Sequence, residues 1–195
     1  MDQLVDSLEE LLCQAVAAGD ALRVEDLIQE GADVNARLDD WTPLHRAAAR
    51  GHAMIARTLL EAGATVDAVG AADWTPLHRA ARMGQIEVTE LLLSSGADVH
   101  AQGVHGWTPL LRAAMAGQAG TGRLLIDAGA DVMAINEANG WTPLHWAAFS
   151  GSVELAEALI DAGAQVHYQA RSGTSPLGLA THYGNDEVRA LLATQ

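Results

Sequence analysis

Eight histidines and 25 acidic residues could move protons or hold a metal here, and their spacing decides which they do. His45, His78 and His145 each stand three positions after a threonine, as in Thr42-Pro43-Leu44-His45. A fixed distance from a helix-opening threonine points to a hydrogen bond that ties a turn to a helix, not to ligation or general-base work. His100 and His167 share a slot with Asn35, Asp67 and Met133, and a slot that accepts methionine is no ligand position. His52, His105 and His182 stand in unrelated contexts. No His-x-x-x-His or cysteine-rich spacing of a zinc site occurs. The glycines punctuate turns and form no phosphate-cradling loop. Glu87, Glu90, Glu154, Glu157 and Asp161 lie at helical intervals suited to a solvated face. Cys13, beside Leu12 and Val16, reads as a small buried apolar residue. No enzyme activity, cofactor or metal site is expected.

The other chemistry on offer is recognition. Trp41, Trp74, Trp107 and Trp141 each open the same Trp-Thr-Pro-Leu run. Five residues later come Arg46, Arg79, Arg112 and then Trp146, with Arg50, Arg82 and Phe149 close behind. Stacked repeats would set these side by side as a ladder of indoles flanked by guanidiniums. Trp and Arg are the types most enriched where binding energy concentrates. Such a strip would be the one basic lane on an acidic molecule, able to steer an acidic or phosphorylated segment toward itself. The expected partner-binding residues are therefore Trp41, Arg46, Trp74, Arg79, Arg82, Trp107, Arg112, Trp141, Trp146 and Phe149. The competing structural reading is that each Trp packs locally over the next turn.

The elements that would position these residues recur. The Trp-Thr-Pro-Leu starts are 33, 33 and 34 residues apart, and Thr174-Ser175-Pro176-Leu177-Gly178 follows as a fifth copy after another 33. Self-similarity at that period means a solenoid whose units pack only on their neighbours. Within a unit, Thr42 suits the N-cap and Pro43 the first helical position, where no N–H is needed. Leu44, Ala47 and Ala48 stripe a short helix that stops near Gly51. Ile55, Leu59 and Leu60 stripe a second that ends at Gly63. Segments between units have room only for a turn or hairpin. The chain reads as one domain, 1–195. It holds an N-terminal cap (1–36), internal units at 37–69, 70–102, 103–136 and 137–169, and a C-terminal cap (170–195). In the first cap, Ser7 and Glu10 have capping-box spacing, Leu4, Leu8, Leu11 and Leu12 form the apolar side, and Asp2, Gln3, Asp6 and Glu9 the polar one. The unit at 103–136 looks weakest: Gly120 and Gly122 interrupt its second helix, each costing about 1 kcal/mol against Ala.

Composition limits the partners. The net charge of −14 argues against affinity for DNA, RNA or anionic lipid. The imbalance is on the basic side, with 11 Arg and no Lys. No apolar run approaches a membrane span, Met1-Asp2-Gln3 does not open a signal peptide, and a single cysteine fits a reducing cytoplasmic setting, in the producing cell or in a host reached by delivery.

Gly140-Trp141-Thr142-Pro143-Leu144-His145-Trp146-Ala147-Ala148-Phe149-Ser150-Gly151, with Leu-Leu-x-x-Gly-Ala runs after the Trp41 and Trp74 copies, resembles the ankyrin repeat, and the likeness covers about Leu4 to Leu192. Asp40 and Asp73 depart from it where a turn glycine is usual. The resemblance implies an all-α solenoid of stacked helix pairs with hairpin-like finger loops, a body on the order of 50 Å long for helices about 8 to 10 Å apart. It also implies a concave face toward which the Trp slot points. The expected function is that of a stand-alone interaction module, monomeric alone, acting as adaptor, inhibitor or scaffold for another protein or peptide, with no nucleic acid or membrane partner. Residues 144–151 also resemble a repeat in methyl-lysine-reading ankyrin domains of certain histone lysine methyltransferases. There Trp107 and Trp146 match two cage tryptophans, whereas Arg112 falls on the third and Met115 and Thr174 on the acidic members. The alternative expectation is thus a small cation or methylated lysine held at Trp141, Trp146 and Phe149 by cation–π attraction.

Overall fold

The computed structural model describes residues 6–195, so Asp2, Gln3 and Leu4 of the first cap lie outside the described residues. Ser7 and Glu10 form the expected capping box: the Glu10 amide donates to Ser7 Oγ at 3.2 Å and the Ser7 amide to Glu10 Oε2 at 2.9 Å. They open α1 (Leu8–Ala18), which pairs with α2 (Ala21–Gln29). Five more pairs follow: α3 (Pro43–Arg50) with α4 (Ala53–Glu61), α5 (Pro76–Met83) with α6 (Ile86–Ser94), and α7 (Pro109–Met115) with α8 (Ala119–Asp127). The last two are α9 (Pro143–Ser150) with α10 (Val153–Asp161) and α11 (Pro176–Tyr183) with α12 (Asp186–Ala193).

The first helices of successive pairs pack on one another in one row and the second helices in another, the first row more closely. Size explains the difference. The alanine pairs 47/48, 80/81, 113/114 and 147/148 are fully buried in the first row, with Leu44, Leu77, Leu110 and Leu144. The second row is held apart by larger buried residues such as Ile55, Leu59, Val88, Leu92, Leu155 and Leu159. An array whose rows differ in spacing bends toward the tighter one, so the first helices build the hollow face. Cys13 is buried in the first unit, and burial pushes its thiol pKa up, as suits an apolar filler.

Fingers connect the pairs. Leu38 and Trp41 exchange both backbone hydrogen bonds across Asp39-Asp40, and both aspartates take positive φ (53° and 64°), as a two-residue hairpin requires. Asp73 stands likewise at 57°, beside Ala72 at 59°. Ala72 has no polar group to favour that conformation, which costs an L-residue roughly 1–2 kcal/mol. The 34-residue interval has a local cause: Gly103 and Trp107 enclose three residues, whereas Asn136 and Trp141 enclose four.

The two glycines of α8 admit neighbours. A Cβ on Gly122 would lie 2.5 Å from Leu155 Cδ1, and one on Gly120 2.8 Å from Ile86 Cδ1. One hollow thus receives a side chain from the following unit and the other from the preceding unit. The two substitutions should differ in sign. Gly120→Ala meets only the movable tip of half-exposed Ile86 and should raise stability by about 0.5–1 kcal/mol. Gly122→Ala must displace fully buried Leu155 and should cost about 1–3 kcal/mol. Urea unfolding of each variant measures this, and in the unaltered chain amides 118–124 should exchange first among the internal units.

Candidate functional site

The histidines are structural. His45 Nδ1 faces Thr42 Oγ1 at 2.8 Å and accepts from the Thr42 amide, which leaves Nε2–H to donate to the Trp74 carbonyl at 2.8 Å. His78 repeats the arrangement with Thr75 and the Trp107 carbonyl, and His145 with Thr142 and the Thr174 carbonyl. Each ring therefore ties its helix start to the finger of the next unit. Burial pushes the pKa of His45 and His78 down to about 4, against smaller upward pulls from those carbonyls, and lowers His145 for the same reason. Leu111, in the same slot, is fully buried and makes no such tie. The Asn35 slot also serves the frame: its side chain bonds the Gly63 carbonyl and the Thr65 amide of the next unit. Among the described residues no group of three His, Cys, Asp or Glu could hold a metal ion.

The Trp/Arg strip is built across unit boundaries. The Arg79 guanidinium sits 4.4 Å over the Trp41 ring, and that of Arg112 3.6 Å over Trp74. Trp146 takes the equivalent place 5.2 Å from Trp107. Trp41, Trp74 and Trp107 are thus each covered by the first helix of the following unit, whereas Trp141 meets rings of its own unit's first helix, Trp146 at 4.5 Å among them. Trp41 and Trp74 also lie against the following finger, where a Cβ on Gly70 or Gly103 would come within 2.6 Å and 2.7 Å of the ring atoms. Neither glycine has positive φ, so close approach is what requires it. The ladder is real as geometry, and its indoles pack locally while remaining partly accessible.

Two arginines depart from expectation. Arg112 shares the slot of Arg46 and Arg79 but is only 6% exposed, because it is sandwiched between Trp74 and, at 4.7 Å, Trp107. Burial, with the charges of Arg82 and Arg79, lowers its pKa to about 10. Arg46 is occupied at home: it donates to the Leu38 carbonyl at 2.7 Å and lies 3.6 Å from the Asp39 carboxylate. Nε of Arg46, Arg79 and Arg112 is buried without a hydrogen-bond partner. Stacking occupies the guanidinium faces of Arg79 and Arg112, and with Arg112 buried it is the N–H edges of Arg79 and of the exposed Arg50 and Arg82 that remain for a partner.

Those edges lack anions. Among the described residues, no carboxylate lies within ion-pair distance of Arg50, Arg79, Arg82 or Arg112, and none of their guanidiniums makes a hydrogen bond. Arg50 ends α3 and Arg82 lies in the last turn of α5, both exposed. With Arg79, Ala49 and Met83 they line a depression of about 410 Å³ between the two helices. The sequence places Arg50 only close behind the strip, and nothing in it singles out Met83, which is half exposed.

Farther along, the strip turns aromatic. Trp141 and Trp146 centroids are 4.5 Å apart, Phe149 lies 5.9 Å and 5.6 Å from them, and Tyr183 continues the cluster 4.7 Å from Phe149. An ammonium needs rings far enough apart to stand between them, and these three fill one another's space. At these separations Trp141, Trp146 and Phe149 contact one another and are not set apart around a gap, as methyl-lysine capture would require. Tyr183, missed in the sequence, joins only because α11 packs on α9.

No helix among the described residues is long and apolar enough to cross a membrane. A model of the family described as "Ankyrin repeats (3 copies)" matches residues 12–103 and 100–170. The chain is 47% identical over 55 residues to mouse 2-5A-dependent ribonuclease, covering 27% of this chain and 8% of that protein. It is 40% identical over 58 residues to mouse ankyrin repeat domain-containing protein 40, covering 29% and 16%. Against potassium channel AKT1 of rice (subsp. indica) it is 46% identical over 56 residues, covering 28% and 6%. The chain thus spans less than a fifth of each of these relatives. With one family model covering most of a helix-pair solenoid tied by Thr/His caps, the chain belongs to the ankyrin-repeat family, a general protein–protein interaction module.

Proposed function

We propose that this chain is an intracellular binding module, without catalytic activity, that receives an acidic segment of a partner protein along the first-helix row. The supporting observation is electrostatic. In a molecule of net charge −14, Arg50, Arg79 and Arg82 gather on one strip, with the buried Arg112 behind them and no carboxylate among them. Such a strip attracts a short acidic segment locally, while the surrounding surface rejects long polyanions. The indoles serve two ends: they hold the guanidinium planes in place and offer partly exposed rim to apolar side chains beside the acidic ones.

Arg50→Glu/Arg82→Glu tests this while keeping the closer contacts of Arg79 on Trp41 and Arg112 on Trp74, at the loss of the longer Arg82 contact with Trp74 at 5.8 Å. Affinity capture from the source lysate, with wild type beside this variant, should lose at least one specific partner. A partner retained equally by both would place the interface on the fingers or the second-helix row.

A further inference from the structure

The variable positions of the first helices divide the strip into two chemically different halves. In α3 and α5 they are Arg46, Ala49, Arg50 and Arg79, Arg82, Met83, whereas in α9 and α11 they are Trp146, Phe149, Ser150 and Leu179, His182, Tyr183. We infer that the Arg50/Arg79/Arg82 depression is a phosphomonoester subsite, and that the partner segment carries a phosphoserine or phosphothreonine there and an apolar side chain at the Phe149/Tyr183 end. The inference rests on the acidic-segment reading above and makes it specific.

Three guanidiniums converge on this one depression, and the apolar walls, Ala49 and Met83, supply no counter-charge. One carboxylate would leave most of that positive charge unbalanced. A phosphomonoester brings about −1.5 to −2 charges and three acceptor oxygens, which suits several N–H edges at once. Arg79 is fixed by its stack on Trp41, so its edge is presented with little ordering left to do. Its pKa is lowered by burial and then by the charges of Arg82 and Arg46, so the surroundings are cationic and an arriving dianion relieves repulsion. The carbonyl ends of α3 and α5 oppose an anion weakly, and Arg50 and Arg82 stand there to reverse that field.

The second half sets the length of the ligand. Two to three helix spacings separate the arginine depression from the Phe149/Tyr183 pair, about 20–30 Å. An extended chain covers that in about six to nine residues. Tyr183 is half exposed and meets Phe149 edge-on, so an apolar side chain of the segment has a surface to cover.

The test uses the full chain and three fluorescein-labelled degenerate 12-residue peptide pools, with a fixed phosphoserine, glutamate or serine and a fixed leucine seven positions away. Anisotropy should show the phosphoserine pool binding at least about tenfold more tightly than the glutamate pool. Arg50→Glu/Arg82→Glu should abolish that preference, while Arg57→Glu/Arg123→Glu, an equal charge change at exposed sites on α4 and α8, should keep it, with circular dichroism confirming both folds. Replacing the fixed leucine by glycine should weaken the phosphoserine pool several-fold. Equal binding of phosphoserine and glutamate pools, both lost in the double variant, overturns the phosphate subsite while leaving the acidic-segment reading standing. Binding of neither pool overturns both. Tighter binding of a 5′-phosphorylated single-stranded oligonucleotide than of the phosphoserine pool also overturns the subsite as a peptide site.

Discussion

Lowering the pH from 7 to about 4 should cost the protein several kcal/mol of stability through its buried histidines. In the unfolded chain these rings take up a proton near the ordinary histidine value of 6.5, whereas His45 and His78 resist protonation until about pH 4. Between those limits the unfolded state binds more protons, so stability falls as pH falls across the window and these two rings cost nothing further below it. A shift of about two and a half units corresponds to about 3 kcal/mol for each ring, a large share of an ordinary domain's margin. The geometry gives the reason: a proton on Nδ1 would point at the Thr42 or Thr75 amide that Nδ1 now accepts from. Leu111 supplies the control that the protein itself contains. His78→Leu should cost about 1–2 kcal/mol at pH 7, since the Trp107 carbonyl still accepts from the Gly103 amide at 2.8 Å. Its stability should then fall less than that of the wild type down to pH 4.5, as read by urea unfolding. Parallel pH profiles for the two proteins would show that His78 is not held neutral by the fold.

Replacing Arg112 should separate its charge from its bulk. Arg112→Ala removes a guanidinium lying 3.6 Å and 4.7 Å from two indole centroids and leaves a gap between them. Cation–π contacts of about 1–2 kcal/mol each when desolvated, plus the gap, put the loss at about 2–4 kcal/mol. Arg112→Met keeps most of the volume and removes a buried Nε that has no partner. Exchange of a buried unpaired charge for an apolar group of similar size is often neutral, so its cost should stay below about 1 kcal/mol. Thermal unfolding of both variants decides between them. If Met proves as damaging as Ala, the cation itself is what holds Trp74 and Trp107.

Much of this was legible because it is local. The Thr-Pro opening, the helix-ending glycines and the alanine pairs act within one unit, so a 33-residue period reveals them directly. Asp40 and Asp73 marked the tips of the fingers because glycine is the ordinary residue there, and both adopt positive φ. Ala72 and His105, also at positive φ, carried no such mark. The site was legible in outline only. Arg112 looked exposed because helical spacing describes one helix, while its burial depends on an indole 38 residues earlier. The glycines of α8 looked like plain weakness for the same reason, since Ile86 and Leu155 come from the units on either side. Tyr183 and Met83 are ordinary helix-end residues until neighbouring units place them beside aromatic or cationic side chains.

The most direct measurement of the central claim is salt-dependent binding of a degenerate peptide pool rich in Asp and Glu, compared between wild type and Arg50→Glu/Arg82→Glu. Wild type should bind the pool at 50 mM salt and lose most of that affinity at 300 mM, as exposed charge attraction is screened within about a Debye length, and the variant should bind at neither. Equal binding by the two proteins, or binding indifferent to salt, would contradict an acidic partner seated on this arginine strip.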